Sequence, residues 1–275
     1  MKKAYAETRE GLVHYVEEGS GDPLLLIHET PRSWRMYAGM IPRLTAHRVI
    51  AMDTLGFGNS DEAPADYSIG DYAANVVSFM DALGLSRAHI FGDHTGAAIA
   101  VETAIVAPQR VGRIILSGLP FWLTEVERVG RYQQVAARDL ISREADGSHL
   151  ARIWQYLMKS RIPGGGSNGL APADLELLSE ITLDALKAGP AWKRMELLMA
   201  IYDPAPRLPL IQAPVLAVGV TGEGASIYTK RPREVAALVA GGKARVMEGV
   251  DGRVIYTHAK EVSEIVDKFL RNSEG

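Results

Sequence analysis

The chain has 275 residues, 47% of them hydrophobic and 23% charged, which suits one α/β domain carrying an insertion around a sizeable core. Its net charge of −3, with no dense basic block, argues against nucleic acid and anionic membranes as partners. It contains no cysteine, which removes disulfides, thiolate metal sites and a cysteine nucleophile.

Residues 12–16 read as an early strand, closed by the turn Gly19-Ser20-Gly21-Asp22-Pro23. Residues 23–28 form a continuous apolar run, as expected of a strand buried on both faces of a parallel sheet. A short helix is predicted over 34–44. Another buried strand follows over 48–53, then the loop Thr54-Leu55-Gly56-Phe57-Gly58-Asn59-Ser60-Asp61. Residues 68–85 repeat apolar side chains at helical spacing and stop at Gly84. A strand over 88–91, a helix over 96–107 and a strand over 111–116 continue the alternation, which predicts a doubly wound parallel sheet with right-handed crossovers.

After Pro120 the rhythm breaks. Residues 121–209 hold helical segments at 125–143, 149–159, 173–188 and 191–202, with the glycine-rich stretch 163–169 between two of them. They read as an inserted helical cap between core segments 1–120 and 210–275. The alternation resumes with a strand over 214–218, a helix over 232–240, a strand over 244–247 and a last helix over 259–272. No apolar run approaches the roughly 20 residues needed to span a bilayer. No apolar stretch follows the basic start Met1-Lys2-Lys3, so no signal peptide is expected and the cytoplasm is the default compartment.

The segment Ile90-Phe91-Gly92-Asp93-His94-Thr95-Gly96-Ala97 is a strand running through a Gly-x-X-x-Gly turn into a small-residue helix. Such an elbow lifts one side chain clear of the sheet. With His28-Glu29-Thr30-Pro31 and Asp53-Thr54-Leu55-Gly56-Phe57-Gly58-Asn59-Ser60-Asp61, it makes the chain resemble the α/β-hydrolase superfamily. The resemblance is to the capped branch of epoxide hydrolases, haloalkane dehalogenases and C–C bond hydrolases. It implies an α/β-hydrolase fold, a mostly parallel doubly wound sheet with an inserted helical cap.

The departures lie at the functional positions. The nucleophile position, normally Ser, Cys or Asp, is His94. The family's acid follows the strand at 215–218, where only Glu223 is available. Its base histidine follows the strand at 244–247, where this chain has Gly252, with His258 six residues later. The serine-type triad is therefore absent.

His94 is the expected catalytic group, since an imidazole suits proton transfer and the elbow aims it into the cavity. Glu29 replaces a family glycine and is a candidate carboxylate partner for it; Glu223 is the candidate acid. The resemblance pairs the backbone N–H groups of Thr95 and Thr30 as an oxyanion hole. Arg32 and Trp34 are placed at the cavity entrance, Arg32 suiting an anionic group or plain solvent exposure. Trp122 and Tyr256 complete the predicted substrate contacts. Asp93 reads as pointing away from the cavity, while His28 and Asp53 read as loop braces.

These features predict an enzyme without a cofactor or a metal, acting on a small, largely apolar or aromatic molecule beneath the cap. His94 serves as acid/base in a lyase, isomerase, cyclase or ring-opening reaction. The alternatives are hydrolysis, with His94 activating water or attacking directly, and a binding protein without catalysis. A homodimer is open.

Overall fold

The apolar run near residue 25 builds strand β3 (Pro23–Ile27), and its alternate side chains enter two separate cores. Leu25 and Ile27 face one core, Leu24 and Leu26 the other, and all four are fully buried. In this computed structural model, which describes residues 1–121, 124–166, 169–222 and 231–271, the same rule holds for β4 (Arg48–Met52). Ile50 and Met52 join the first core, Val49 and Ala51 the second. Both faces of the sheet are thus covered, and the strands are apolar throughout.

Strands β5 (Ala88–Asp93), β6 (Val111–Ser117), β7 (Val215–Val220) and β8 (Lys243–Met247) complete the parallel part. The order in the sheet is β1-β2-β4-β3-β5-β6-β7-β8. Strand β2 (Gly11–Glu18) pairs antiparallel with β4 on one side and with β1 (Lys2–Thr8) on the other. The sequence reading missed β1. It is an edge strand with mostly exposed residues, so the segment KKAYAET carries little of the burial signal that marks the inner strands.

Helix α1 (Ile69–Ala82) starts in a reciprocal capping box between Ser68 and Asp71. Helix α2 (Thr95–Val106) packs with α1 on the first face. Helix α9 (Ala259–Arg271) packs Val262, Val266 and Phe269 into the second core. The short helices α7 (Pro232–Ala237) and α8 (Val254–Thr257) flank β8. The helix expected over 34–44 is instead two 3₁₀ turns, Trp34–Tyr37 and Ile41–Arg43. Pro42 lacks the N–H that a continuous helix needs there.

Between β6 and β7 lie α3 (Glu125–Ala137), α4 (Ser148–Arg161), α5 (Pro172–Ala188) and α6 (Pro190–Ile201). Helix α3 ends earlier than expected, because Arg138 turns to extended backbone. This helical layer covers the C-terminal ends of the central strands and is tied to the core by several polar contacts, two of them centred on buried charges. Glu102 of α2 accepts from Arg207 Nη2 at 2.6 Å and from the Tyr202 hydroxyl at 3.0 Å. At the second point, Arg32, fully buried, holds Asp184 of α5 with Nε 3.1 Å from Oδ2. The Ser33 hydroxyl donates to the other oxygen of Asp184 at 3.0 Å.

Arg32 therefore does not stand at a cavity entrance. Its guanidinium is a structural charge inside the protein, lying 5.0 Å from the centre of the Tyr256 ring. Removing one member of a buried pair strands the other charge in a medium that solvates it poorly. Asp184→Ala should lower the free energy of unfolding by about 3–5 kcal/mol in urea titrations. The double change Arg32→Met with Asp184→Leu should recover most of that loss.

Candidate active site

Strand β5 must become helix α2 within one residue, and that residue is His94, with φ 47° and ψ −103°. It is the one non-glycine with positive φ among the described residues. The glycines on either side explain the geometry. A Cβ at Gly96 would lie 1.9 Å from the Ile27 carbonyl oxygen, and one at Gly92 would lie 2.3 Å from the Gly96 oxygen. The backbones of β3, β5 and α2 meet too closely for any side chain at these two positions. The His94 N–H is anchored on the Ser117 carbonyl at 2.8 Å, and its side chain is thrown outward.

The imidazole lines a cavity of about 390 Å³ between the sheet and the helical layer. Its Nδ1 lies 3.2 Å from the Thr95 hydroxyl. Burial pushes its pKa down to about 4, against the attraction of Glu29, with Arg161 and Arg131 adding to the depression. The ring is therefore neutral at physiological pH and available to accept a proton.

Glu29 lies in the loop two residues beyond the end of β3, on the wall of the same cavity. Its carboxylate accepts from Arg161 Nη1 at 2.7 Å, while Arg161 Nη2 donates to the Thr30 carbonyl at 3.0 Å. The candidate partner of His94 is thus engaged by a guanidinium from the end of α4. Burial raises the Glu29 pKa, but Arg161, then His94, outweigh it, so the carboxyl stays ionised. His28 braces this loop: Nε2 accepts from the Thr54 N–H at 3.0 Å and Nδ1 donates to the Glu29 carbonyl at 2.8 Å. Asp53 accepts from the Trp34 and Asn59 N–H groups at 2.7 and 3.0 Å.

Asp93 is the main departure from the sequence reading. It lines the cavity instead of pointing away from it. Burial and then the Glu29 charge push its pKa up to about 8, with a hydrogen bond from Ser117 and the charge of Arg161 opposing. Adjacent residues therefore hold unusual protonation states: a neutral imidazole and, at neutral pH, a largely protonated carboxyl.

Of the other sequence candidates, Thr30, Thr95 and Tyr256 line the cavity. The Tyr256 hydroxyl is buried and has no hydrogen-bond partner among the described residues. Burial holds it firmly protonated. Trp34 is not at the cavity; it is packed in the second core, flanked by Lys3 and Arg35. Gly252 lines the cavity where the resemblance places a base histidine. His258 lies elsewhere, its Nδ1 2.8 Å from the Thr257 hydroxyl, and Asp251 is held by Arg253 at 2.8 Å. Trp122 and Glu223 lie outside the described residues.

The structure adds Arg131, Tyr156, Arg161 and Glu196, all from the helical layer. The wall is consequently mixed, not largely apolar: Leu177, Ile181 and Met199 share it with four cationic side chains. Among the described residues, no cluster of three or more His, Asp or Glu side chains could hold a metal ion.

A model of the family described as "alpha/beta hydrolase fold" matches residues 22–160, just over half of the chain and all three motifs. The chain belongs to the alpha/beta hydrolase fold family. Among similar α/β-hydrolases is haloalkane dehalogenase 2 of Mycobacterium tuberculosis, 32% identical over 137 residues, or 49% of this chain and 48% of that protein. Another is the 2-hydroxy-6-oxo-6-phenylhexa-2,4-dienoate hydrolase of Comamonas testosteroni, 39% identical over 113 residues, or 39% of this chain and 40% of that one. The aligned segment spans about half or less of the length of these relatives. The fold extends further: a hydrolase from Pseudomonas aeruginosa PA01 superposes with a TM-score of 0.80 over 98% of both chains, at 21% identity.

The charges around His94 make a measurable pattern. By NMR, the His94 ring should titrate near pH 4. Arg161→Gln removes a cation and should raise that midpoint. Glu29→Gln removes the opposing anion and should lower it. Midpoints that stay near the ordinary histidine value in all three proteins would contradict the electrostatics described.

Proposed function

We propose that this α/β-hydrolase family member is an enzyme that moves protons on a small molecule, with His94 as the general base and Asp93 as the proton donor. The observation that carries this reading is an imidazole at the nucleophile position, kept neutral by burial and nearby cations and facing a cavity under a helical layer. A neutral imidazole accepts a proton directly, and a carboxyl held protonated at neutral pH can return one. The chemistry needs no external oxidant or reductant. His94 takes a proton from a carbon next to a carbonyl, the carbonyl oxygen gains the electron pair as an enolate, and Asp93 protonates another atom of the same molecule. The first-turn N–H of Thr95, at the start of α2 and on the cavity wall, is the donor offered to that developing charge. The Tyr256 hydroxyl supplies a further donor.

A second reading, hydrolysis through water activated by the same imidazole, draws support from the Comamonas testosteroni relative, which is named as a hydrolase. Solvent ¹⁸O entering the product marks hydrolysis. Solvent deuterium entering at carbon without ¹⁸O marks proton transfer.

Three results test the proposal. In a screen of carbonyl compounds in D₂O, wild-type protein should catalyse exchange or isomerisation, and His94→Gln, still folded by circular dichroism, should lose about 10²–10⁴-fold in rate. The pH profile of kcat/KM should rise through about pH 4 as His94 loses its proton and fall near about pH 8 as Asp93 does. Asp93→Asn should lower the rate, and the activity that remains should lack the alkaline limb and keep the acid limb. Full activity in His94→Gln would overturn the proposal.

A further inference from the structure

Four cationic side chains line the cavity: Arg131, Lys159, Arg161 and Arg253. Two are locally balanced. Arg161 is paired with Glu29 at 2.7 Å, and Arg253 with Asp251 at 2.8 Å and with Asp174. The other two are not. Arg131 is 3.8 Å from Glu196, whose carboxylate is also gripped by Arg138, so one anion serves two guanidinium groups. Lys159 is exposed and forms no ion pair among the described residues. Burial depresses the Arg138 pKa, and the nearby charges of Arg131 and Arg161 add to the depression, so the cations crowd one another on this side of the cavity. Asp93 adds little negative charge at neutral pH, since burial keeps it largely protonated.

The geometry points to an anionic substrate, whose carboxylate docks against Arg131 and Arg161 on the α3–α4 side of the cavity, above His94, with Lys159 at the rim. This deepens the reading of the cavity as a proton-transfer site and rests on it. Arginine forks match planar carboxylates, and Arg131, which shares the single carboxylate of Glu196 with Arg138, gains a counter-ion of its own only from an anionic ligand and not from a neutral analogue. The same anion would act on the base. Arg131 and Arg161 both weaken the proton affinity of His94, so a carboxylate that cancels them strengthens the base once the substrate is bound.

The test uses matched probes small enough for the cavity: 3-phenylpropionate with 3-phenylpropionamide, and 5-phenylpentanoate with its amide. Binding is measured by calorimetry and by NMR titration of the His94 ring. Each carboxylate should bind at least about tenfold more tightly than its amide and should raise the His94 midpoint, while the amides leave it unchanged. Arg131→Gln should erase most of the difference between each pair by weakening the carboxylate alone, and Arg131→Lys should keep part of it. Equal binding of acid and amide, a preference that survives Arg131→Gln, or no carboxylate binding below about 10 mM would overturn the inference. If Arg131→Gln does not fold, the wild-type comparison and the His94 shift decide alone. Deuterium exchange lost in His94→Gln alongside equal binding of acids and amides would sink this inference and leave the base in place.

Discussion

The Ile27 carbonyl oxygen occupies the space that a side chain at residue 96 would need. Because Gly96 tolerates this contact, the start of α2 sits directly against the end of β3, and β5 has a single residue in which to turn. That residue is forced to positive φ, and its side chain has nowhere to go but outward, over the ends of the strands. The position of His94, the exposure of Asp93 to the same cavity and the aim of the α2 N-terminus all follow from this backbone contact. Strain at one residue is tolerated because three elements hold it, as is common at functional turns.

Enclosure then sets the chemistry. Taking an imidazole and a carboxyl out of water penalises the charged form of each, so their proton affinities move in opposite directions. The ion pair of Glu29 and Arg161 decides how far. Glu29 pulls His94 toward protonation and Arg161 pushes it back, and on Asp93 the two act in the same sense. A single salt bridge thus acts on the protonation of both residues. Asp93 in particular owes its protonated form at neutral pH to this enclosure.

The architecture was legible in the chain because parallel strands covered on both faces are apolar throughout, as β3 and β4 are, and because the two elbow glycines fix a turn that only glycine permits. The edge strand β1 was not legible, since exposed residues leave no pattern. Within the site, the strand ends carried the readable part: His94, Glu29 and Thr95 sit where local geometry dictates. The helical layer carried the rest. Arg161 looks in sequence like any basic residue closing a helix, and Arg131 like one on a polar face. Only the packing of α3 and α4 over the sheet brings them to the imidazole. Arg32 misled in the opposite sense: a loop arginine beside the site motif is spent on the buried Asp184. Asp93 misled because local sequence does not show which way the residue before the elbow faces.

Arg161 belongs to one layer of the molecule, while the groups it grips, Glu29 and the Thr30 carbonyl, belong to the other. An outward swing of α4 would strip the carboxylate of its cation, carry positive charge away from the ring and let water in. All three changes raise the proton affinity of the imidazole, back toward its ordinary value. The docking of the helical layer on the core and the proton affinity of the ring therefore hang on one ion pair.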